Sequence, residues 1–284
     1  MRPLILGALL AGAVLGLAGA ALAQTAAAPT APHLNAYDAD PAHPDIGGLW
    51  RPAPGPRVVF KVDGKPLPPA DANRHQQGFP YKPAWAKVVQ ARYAADLKGA
   101  PYGNPDNSCW PAGIMDDYLV RDDVDGFELI QTQGRVQMVF EYQNSIRWIY
   151  ADGRDHPKGD DLDYTIKGDS IGRWDGDAFV VDTIGVRPEF TFGYNLPHSD
   201  SVHFVERFRR VDADTLQIDV TITDPVALTR PVTATLMYKR SNPDTLREAL
   251  CVEENWQKAV GADLVVRPDP RVKKRYGFDL PAVH

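Results

Sequence analysis

Residues 216–223 read LQIDVTIT, an alternation of apolar and polar residues that is typical of a β-strand with one buried face. Successive side chains of a strand point in opposite directions, so the four apolar residues share one face and the polar residues share the other. Residues 232–240, VTATLMYKR, alternate in the same way. Such strands predict an antiparallel sheet that closes into a small barrel with its apolar side inward.

Period-two segments separated by turn residues extend from this point back to residue 127. About nine or ten antiparallel strands at this spacing are typical of barrels and sandwiches. We therefore predict an all-β fold, an antiparallel β-barrel, over residues 44–259. The predicted strands are 58–62, 127–132, 135–142, 145–150, 170–174, 178–182, 202–211, 216–223, 232–240 and 246–253.

The N-terminal part of the barrel domain has a different character. Proline is concentrated before residue 115, and residues 63–126 are predicted to form a long loop insertion. One helix is expected in it, over 83–97, because a proline suits its first turn and apolar residues recur at helical spacing.

The two ends of the chain are predicted to lie outside the barrel. Residues 1–23 have the form of a secretory signal peptide: Arg2, an apolar run, and Ala21-Leu22-Ala23 as the cleavage site. A membrane anchor is disfavoured, because no basic stop-transfer residues follow the run. Residues 24–43 are expected to be a flexible leader and 260–284 a C-terminal tail, and the mature protein is expected in the periplasm or outside the cell.

Charge and cysteine content restrict the partners and the cross-links. The formal net charge of −6 and the absence of a basic patch disfavour nucleic-acid binding. The two cysteines, Cys109 and Cys251, are predicted to form a disulfide in an oxidising compartment, with two buried free thiols or a catalytic cysteine as the alternatives. The sequence does not indicate an oligomeric state.

The segment 202–210 concentrates acid and base chemistry on one predicted strand. If its Val/Phe face points inward, Glu206 lies among apolar side chains, and burial would raise its pKa into a range useful for general acid/base catalysis. If the other face points inward, His203 is the base beside the guanidinium of Arg207. Cross-strand ion pairs on a solvent-facing strand are the third interpretation.

Further polar residues are candidates for ligand binding. Glu141 and Arg147 flank the turn Gln143-Asn144 and are expected to lie opposite each other, as an ion pair or as a ligand clamp. His156 in a turn-rich loop, Asp182 and His198 complete the predicted set. No histidine spacing matches a known zinc pattern, so no metal site is predicted.

Two resemblances add to this interpretation. Gly48-Leu49-Trp50 resembles the Gly-x-Trp element of lipocalin-type (calycin) barrels, which implies that the tryptophan packs under a basic side chain, here Arg240 or Arg247. The long segment 60–115 departs from a compact lipocalin.

The second resemblance covers nearly all of the mature chain. The chain resembles a largely uncharacterised family of exported bacterial proteins. This resemblance implies that the polar residues of the shared motifs form one site, but it does not imply a reaction. Trp110 departs from that pattern, because a smaller apolar residue is expected there. The motifs are Cys109-x-Pro-x-Gly, Asp152-Gly-Arg-x-x-His156-Pro, GDSIGRWxGD from 168, VVDTxG from 180 and HSxxxHxxER from 198.

We predict an exported, lipocalin-like barrel that binds a small, largely apolar organic molecule in its cavity, and we favour a lyase or isomerase that transfers protons. In that reaction His203 or Glu206 is the base and Arg207 stabilises the anion. The alternatives are a non-catalytic carrier and an interaction module of the cell envelope. The sequence has no P-loop or dinucleotide-binding motif, and no organic cofactor is expected.

Overall fold

The architecture comes from a computed structural model, which describes residues 40–55, 58–71, 75–98, 113–119, 126–188, 190–193, 196–241 and 245–247. The strands there are β1 Gly48–Pro52, β2 Val59–Val62, β3 Lys65–Pro66, β4 Phe127–Thr132, β5 Arg135–Phe140, β6 Ile146–Tyr150, β7 Asp169–Asp175, β8 Ala178–Ile184, β9 His203–Asp212, β10 Thr215–Thr223 and β11 Val232–Arg240. The helices are α1 Pro83–Asp96 and α2 Ile114–Leu119.

Nine strands close into a barrel in the order β1-β4-β5-β6-β7-β8-β9-β10-β11, because β11 also pairs with β1. All neighbours in the barrel are antiparallel except β6 and β7, which are parallel and joined by a single Cα pair, Tyr150 with Ile171. Strand β2 pairs with the other end of β11 and carries β3 at its edge. The predicted all-β barrel is confirmed.

The alternation of β10 and β11 has the predicted effect on packing. The apolar residues of β10 are buried and the polar residues between them are only half buried, and the pattern repeats along most of β11. The large inward side chains pack against one another in the interior of the barrel. The most completely buried aromatic residues are Trp50, Tyr118, Phe60, Phe127, Phe179, Phe190, Phe192, Phe204 and Phe208.

One end of the barrel is closed around Trp50. The guanidinium carbon of Arg240 lies 4.7 Å from the centre of the Trp50 ring, and Arg240 Nη2 donates to the carbonyl oxygen of Gly47 at 3.1 Å. Of the two basic residues considered for this position, Arg240 makes the contact. Arg247 instead donates its backbone N–H to Glu141.

The insertion contains a second helix that the sequence does not predict. Helix α1 has nearly the predicted bounds, whereas α2 has only six residues, all buried. It brings Asp116, Asp117 and Tyr118 to the barrel. Among the described residues, neither helix is long and apolar enough to cross a membrane.

Several predictions concern residues outside the described ranges. These are the signal peptide 1–23, most of the leader 24–43, the Cys109–Cys251 disulfide and the tail 260–284. Of the predicted strand 246–253, only residues 246 and 247 are described, and they belong to no strand.

Candidate functional site

Strand β9 directs its Val/Phe face into the barrel, which decides between the two orientations considered for it. Phe204, Glu206 and Phe208 are buried, while His203 and Arg207 point outward. Glu206, His203 and Arg207 therefore do not form the single catalytic set predicted for them, because they lie on opposite faces of one strand. Arg207 forms an outer-wall ion pair with Asp175 at 2.9 Å.

Glu206 belongs to a buried polar network rather than to a purely apolar environment. Its carboxylate pairs with the guanidinium of Arg147 and accepts a hydrogen bond from Tyr118 Oη at 2.6 Å. Arg147 also donates to Thr183 Oγ1 at 2.8 Å and to Ser170 Oγ at 3.3 Å. Burial alone would lower the pKa of Arg147, but the carboxylate of Glu206 raises it above its ordinary value. Arg147 is therefore kept charged inside the barrel.

The predicted pairing of Glu141 with Arg147 is wrong, because the turn between β5 and β6 is two residues longer than assumed. Phe140 N–H donates to the carbonyl oxygen of Ser145, so residues 141–144 form the loop. Arg147 consequently lies opposite Met138.

Glu141 is instead held by donors from three other segments. Arg51 donates to both carboxylate oxygens at 2.6 and 2.5 Å, and the backbone N–H groups of Gly126 and Arg247 donate at 3.2 and 2.7 Å. Burial alone would raise the pKa of Glu141, but the hydrogen bonds, first that from Arg51, hold it below its ordinary value. Each carboxylate oxygen of Glu141 thus accepts two hydrogen bonds from the protein, which gives Glu141 a structural role.

Four residues form a hydrogen-bonded row on the outer wall, which we call the Asp–His chain. Asp169 Oδ1 contacts His156 Nδ1 at 2.5 Å, and His156 Nε2 contacts Asp182 Oδ1 at 3.0 Å. His203 Nε2 contacts the same Asp182 oxygen at 2.8 Å. The hydrogen bond with His203 lowers the pKa of Asp182, and the same bond raises the pKa of His203.

Strand register brings the Asp–His chain together. Asp169 begins β7, and Asp182 lies on the adjacent strand β8, directly opposite Ile171. His203 begins β9, which pairs with β8. His156 comes from the loop that follows β6, so consecutive segments of the barrel wall supply the four side chains.

A groove of about 700 Å³, the seam groove, opens where β6 and β7 separate. Three of its lining residues are large apolar side chains that face solvent: Ile146, Trp148 and Tyr164 are 44%, 41% and 48% exposed. Asp169, the first member of the Asp–His chain, lines the same groove. The other lining residues are Ser145, Tyr150, Pro157, Asp161, Leu162, Asp163, Thr165, Ile166, Lys167, Gly168, Ser170 and Arg187.

Lys167 connects the seam groove to helix α2. Its ammonium group contacts the carboxylate of the fully buried Asp117, which also accepts a hydrogen bond from Ser145 Oγ at 3.4 Å. Burial lowers the pKa of Lys167 below its ordinary value, although Asp117 opposes the shift. The groove therefore has a cationic residue and a carboxylate, Lys167 and Asp169, two positions apart.

His198 is separate from the other predicted binding residues. It is buried, its Nδ1 contacts the carbonyl oxygen of Ser199 at 2.8 Å, and its ring centre lies 5.0 Å from that of Phe192. Of the predicted site residues, the structure thus joins His156, Asp182 and His203 on the outer wall and Arg147 with Glu206 in the core.

Sequence reasoning missed Asp169, Tyr118, Asp117 and Lys167. Asp169 lies inside the GDSIGRW motif, but the sequence of this motif predicts a β-hairpin, so Asp169 was not among the predicted site residues. Within the described residues, no group of three or more His, Cys, Asp or Glu side chains is arranged to hold a metal ion.

Searches of protein-family models, curated proteins and solved structures found no match for this chain. The resemblances to calycin barrels and to an exported bacterial family stay predictions.

Proposed function

We propose that the protein binds a small organic molecule in the seam groove. The observation that carries the proposal is the exposure of Ile146, Trp148 and Tyr164 in one concave site. Ligand pockets are concave, mainly apolar and about 300–1,000 Å³ in volume, with a few polar groups that fix orientation. Lys167 and Asp169 are such polar groups.

This site differs from the barrel interior expected of a lipocalin-like carrier. Buried aromatic and aliphatic side chains pack together in the interior, whereas the seam groove is open to solvent, so the ligand is proposed to bind between two strands of the wall instead. A largely apolar ligand with a polar group fits the lining best, because three large apolar side chains are exposed there and charged residues line the same groove.

Export to the periplasm or the medium is part of the proposal and is supported by the signal-like residues 1–23. A non-catalytic carrier and a lyase or isomerase both need such a groove. Asp169 in its wall favours the enzyme, because a carboxylate in contact with the ligand can accept a proton. The exposed apolar residues alone would serve a carrier or an interaction module of the envelope equally well.

The first experiment is native mass spectrometry of the protein purified from its own source, to detect a bound molecule. The second measures the binding of 1-indanone, an apolar aromatic ketone, by titration in NMR spectra. Trp148→Ala is expected to weaken binding about tenfold, since losing burial of part of an aromatic ring costs about 1.4 kcal/mol.

The matched control is Met237→Ala, which removes an exposed apolar side chain of β11 that does not line the groove. It should leave the dissociation constant unchanged. Equal effects of the two substitutions, or no binding of 1-indanone by the wild type, would count against the seam groove as the site.

A further inference from the structure

We propose that Asp169 is the general base of the seam groove, and that His156, Asp182 and His203 position it for proton transfer on a small carbonyl compound. The inference rests on ligand binding in that groove. It replaces the predicted set of His203, Glu206 and Arg207 with a set that the structure brings together.

Asp169 has the geometry that a general base needs. One carboxylate oxygen is bonded to His156 Nδ1, and among the described residues the other oxygen, Oδ2, has no side-chain partner. The residue lines the groove and is largely but not fully buried. A base held on one side by a hydrogen bond and open on the other can accept a proton from a bound ligand without rotating.

The ligand class follows from Lys167, a basic residue of the groove close in sequence to Asp169. Removing a proton from carbon leaves negative charge, which is most easily carried by an adjacent carbonyl oxygen. Lys167 lines the groove two residues from Asp169. Its ammonium group pairs with the buried Asp117, and a further N–H of the same group would donate to the ligand oxygen. A carbonyl compound with a C–H bond next to the carbonyl suits this pair of residues.

The proposed step is balanced without a cofactor. The C–H bond breaks, its proton moves to the carboxylate of Asp169, and its electron pair forms an enolate whose oxygen faces Lys167. If the proton on Asp169 is first replaced by a deuteron from D₂O, return of that deuteron to the same carbon gives exchange, and return of the proton to another carbon gives isomerisation. Asp169 is unprotonated again at the end of either cycle.

The rest of the Asp–His chain fixes Asp169 and links it to solvent. Both ring nitrogens of His156 face carboxylate oxygens, so the ring is held at two points. Asp182 is in turn bonded to His203, whose side chain is 37% exposed. The hydrogen-bonded row that starts at Asp169 therefore ends at an imidazole that is accessible to solvent.

The test is hydrogen–deuterium exchange of 1-indanone in D₂O, followed by proton NMR at the carbon next to the carbonyl. Wild-type protein is expected to exchange this position at least about tenfold faster than buffer. Asp169→Asn keeps the shape of the side chain but removes the base, so exchange should fall at least about 100-fold while the dissociation constant changes less than about twofold.

Two further variants separate positioning from fold. His156→Gln should slow exchange about tenfold with unchanged binding, because the base is then less well oriented. Asp175→Asn is the control: it removes a carboxylate of the outer-wall pair with Arg207, away from the groove, and should change neither rate nor binding.

The outcomes distinguish this inference from the proposed function. If 1-indanone binds but exchanges no faster than in buffer, or if Asp169→Asn exchanges like the wild type, Asp169 is not the base and ligand binding still stands. If 1-indanone does not bind at all, the seam groove fails as a site and the inference falls with it.

Discussion

Arg147 and Arg207 are both arginines paired with acidic residues, but they differ in burial. The side chains of Arg147 and Glu206 are 1% and 0% exposed, whereas those of Arg207 and Asp175 are 45% and 70% exposed. Arg147→Met should lower the free energy of unfolding by about 3–5 kcal/mol, because Glu206 would stay buried without its counter-charge. Arg207→Met should lower it by less than about 1 kcal/mol. Urea unfolding followed by circular dichroism measures both.

A double substitution tests whether the unpaired charge of Glu206 is what destabilises Arg147→Met. Arg147→Met combined with Glu206→Leu removes both charges and should regain most of the lost stability, since buried ion pairs and apolar replacements of similar volume are often close in free energy. A double variant no more stable than Arg147→Met would mean that the cost comes from lost packing and not from an unpaired charge.

The Asp182–His203 pair makes a prediction about pH. The pKa of His203 is higher in the folded protein than in the unfolded chain. The stabilisation from protonated His203 is therefore fully present below its unfolded-state pKa of about 6.5, and it is lost as the pH rises through its folded-state pKa. The pKa of Asp182 is lower in the folded protein than in the unfolded chain. The stabilisation from ionised Asp182 is therefore present above its unfolded-state pKa of about 3.9, and it is lost as the pH falls through its folded-state pKa. The pair therefore stabilises the fold most between about pH 4 and 6.

His203→Gln should accordingly cost more stability at pH 5 than at pH 9. Both side chains are more than a third exposed, so solvent screening limits the difference to about 0.2–1 kcal/mol. NMR titration gives a direct check: the pKa of His203 should lie above about 6.5 in the wild type and fall toward that value in Asp182→Asn. An unchanged value in Asp182→Asn would contradict the assignment of the shift to this hydrogen bond.

At the scale of elements, the β7–β8 hairpin depends on a close approach of a ring to a glycine. A Cβ atom placed on Gly172 would lie 2.1 Å from Phe179 Cζ and 2.7 Å from Cε2. Phe179 is fully buried and has little room to move. Gly172→Ala should therefore cost about 1–3 kcal/mol of stability by overpacking, as measured by urea unfolding.

The same hairpin offers an internal control. Phe179→Leu in the Gly172→Ala background makes space for the added methyl group, so the double variant should be more stable than the sum of the two single losses predicts. Strict additivity would show that the ring and the methyl group do not compete for the same space.

Elements differ in how much of their structure their own residues specify. The strands could be predicted because a period of two persists over many residues, as in β10. Helix α2 could not, because six residues are too few for a helical period and its two buried aspartates hide the apolar character. The loop 141–144 was assumed to be a two-residue turn, and that assumption alone put Glu141 opposite Arg147.

At the scale of the whole molecule, the candidate site depends on contacts that sequence periodicity does not contain. The outward residues Asp169, Asp182 and His203 are adjacent only through the register of three strands, and both faces of β9 carry polar residues. The parallel contact of β6 with β7 is also non-local, and it creates the seam groove. The sequence could therefore predict a barrel and several site residues, but not where they meet.

The β6–β7 seam should be the place where the barrel opens most readily. Strands β9 and β10 pair along nearly their whole length, whereas a single pair joins β6 to β7. Local opening costs least where few hydrogen bonds and contacts must break.

Peptides that cover β6 and residues 157–168 should therefore exchange amide hydrogen at least about tenfold faster than peptides of β9 and β10, as measured by mass spectrometry. Saturating 1-indanone should slow the seam peptides and leave the β9–β10 peptides unchanged, because a ligand in the groove bridges the two strands; equal protection of both regions without ligand would show that the seam is not a weak point.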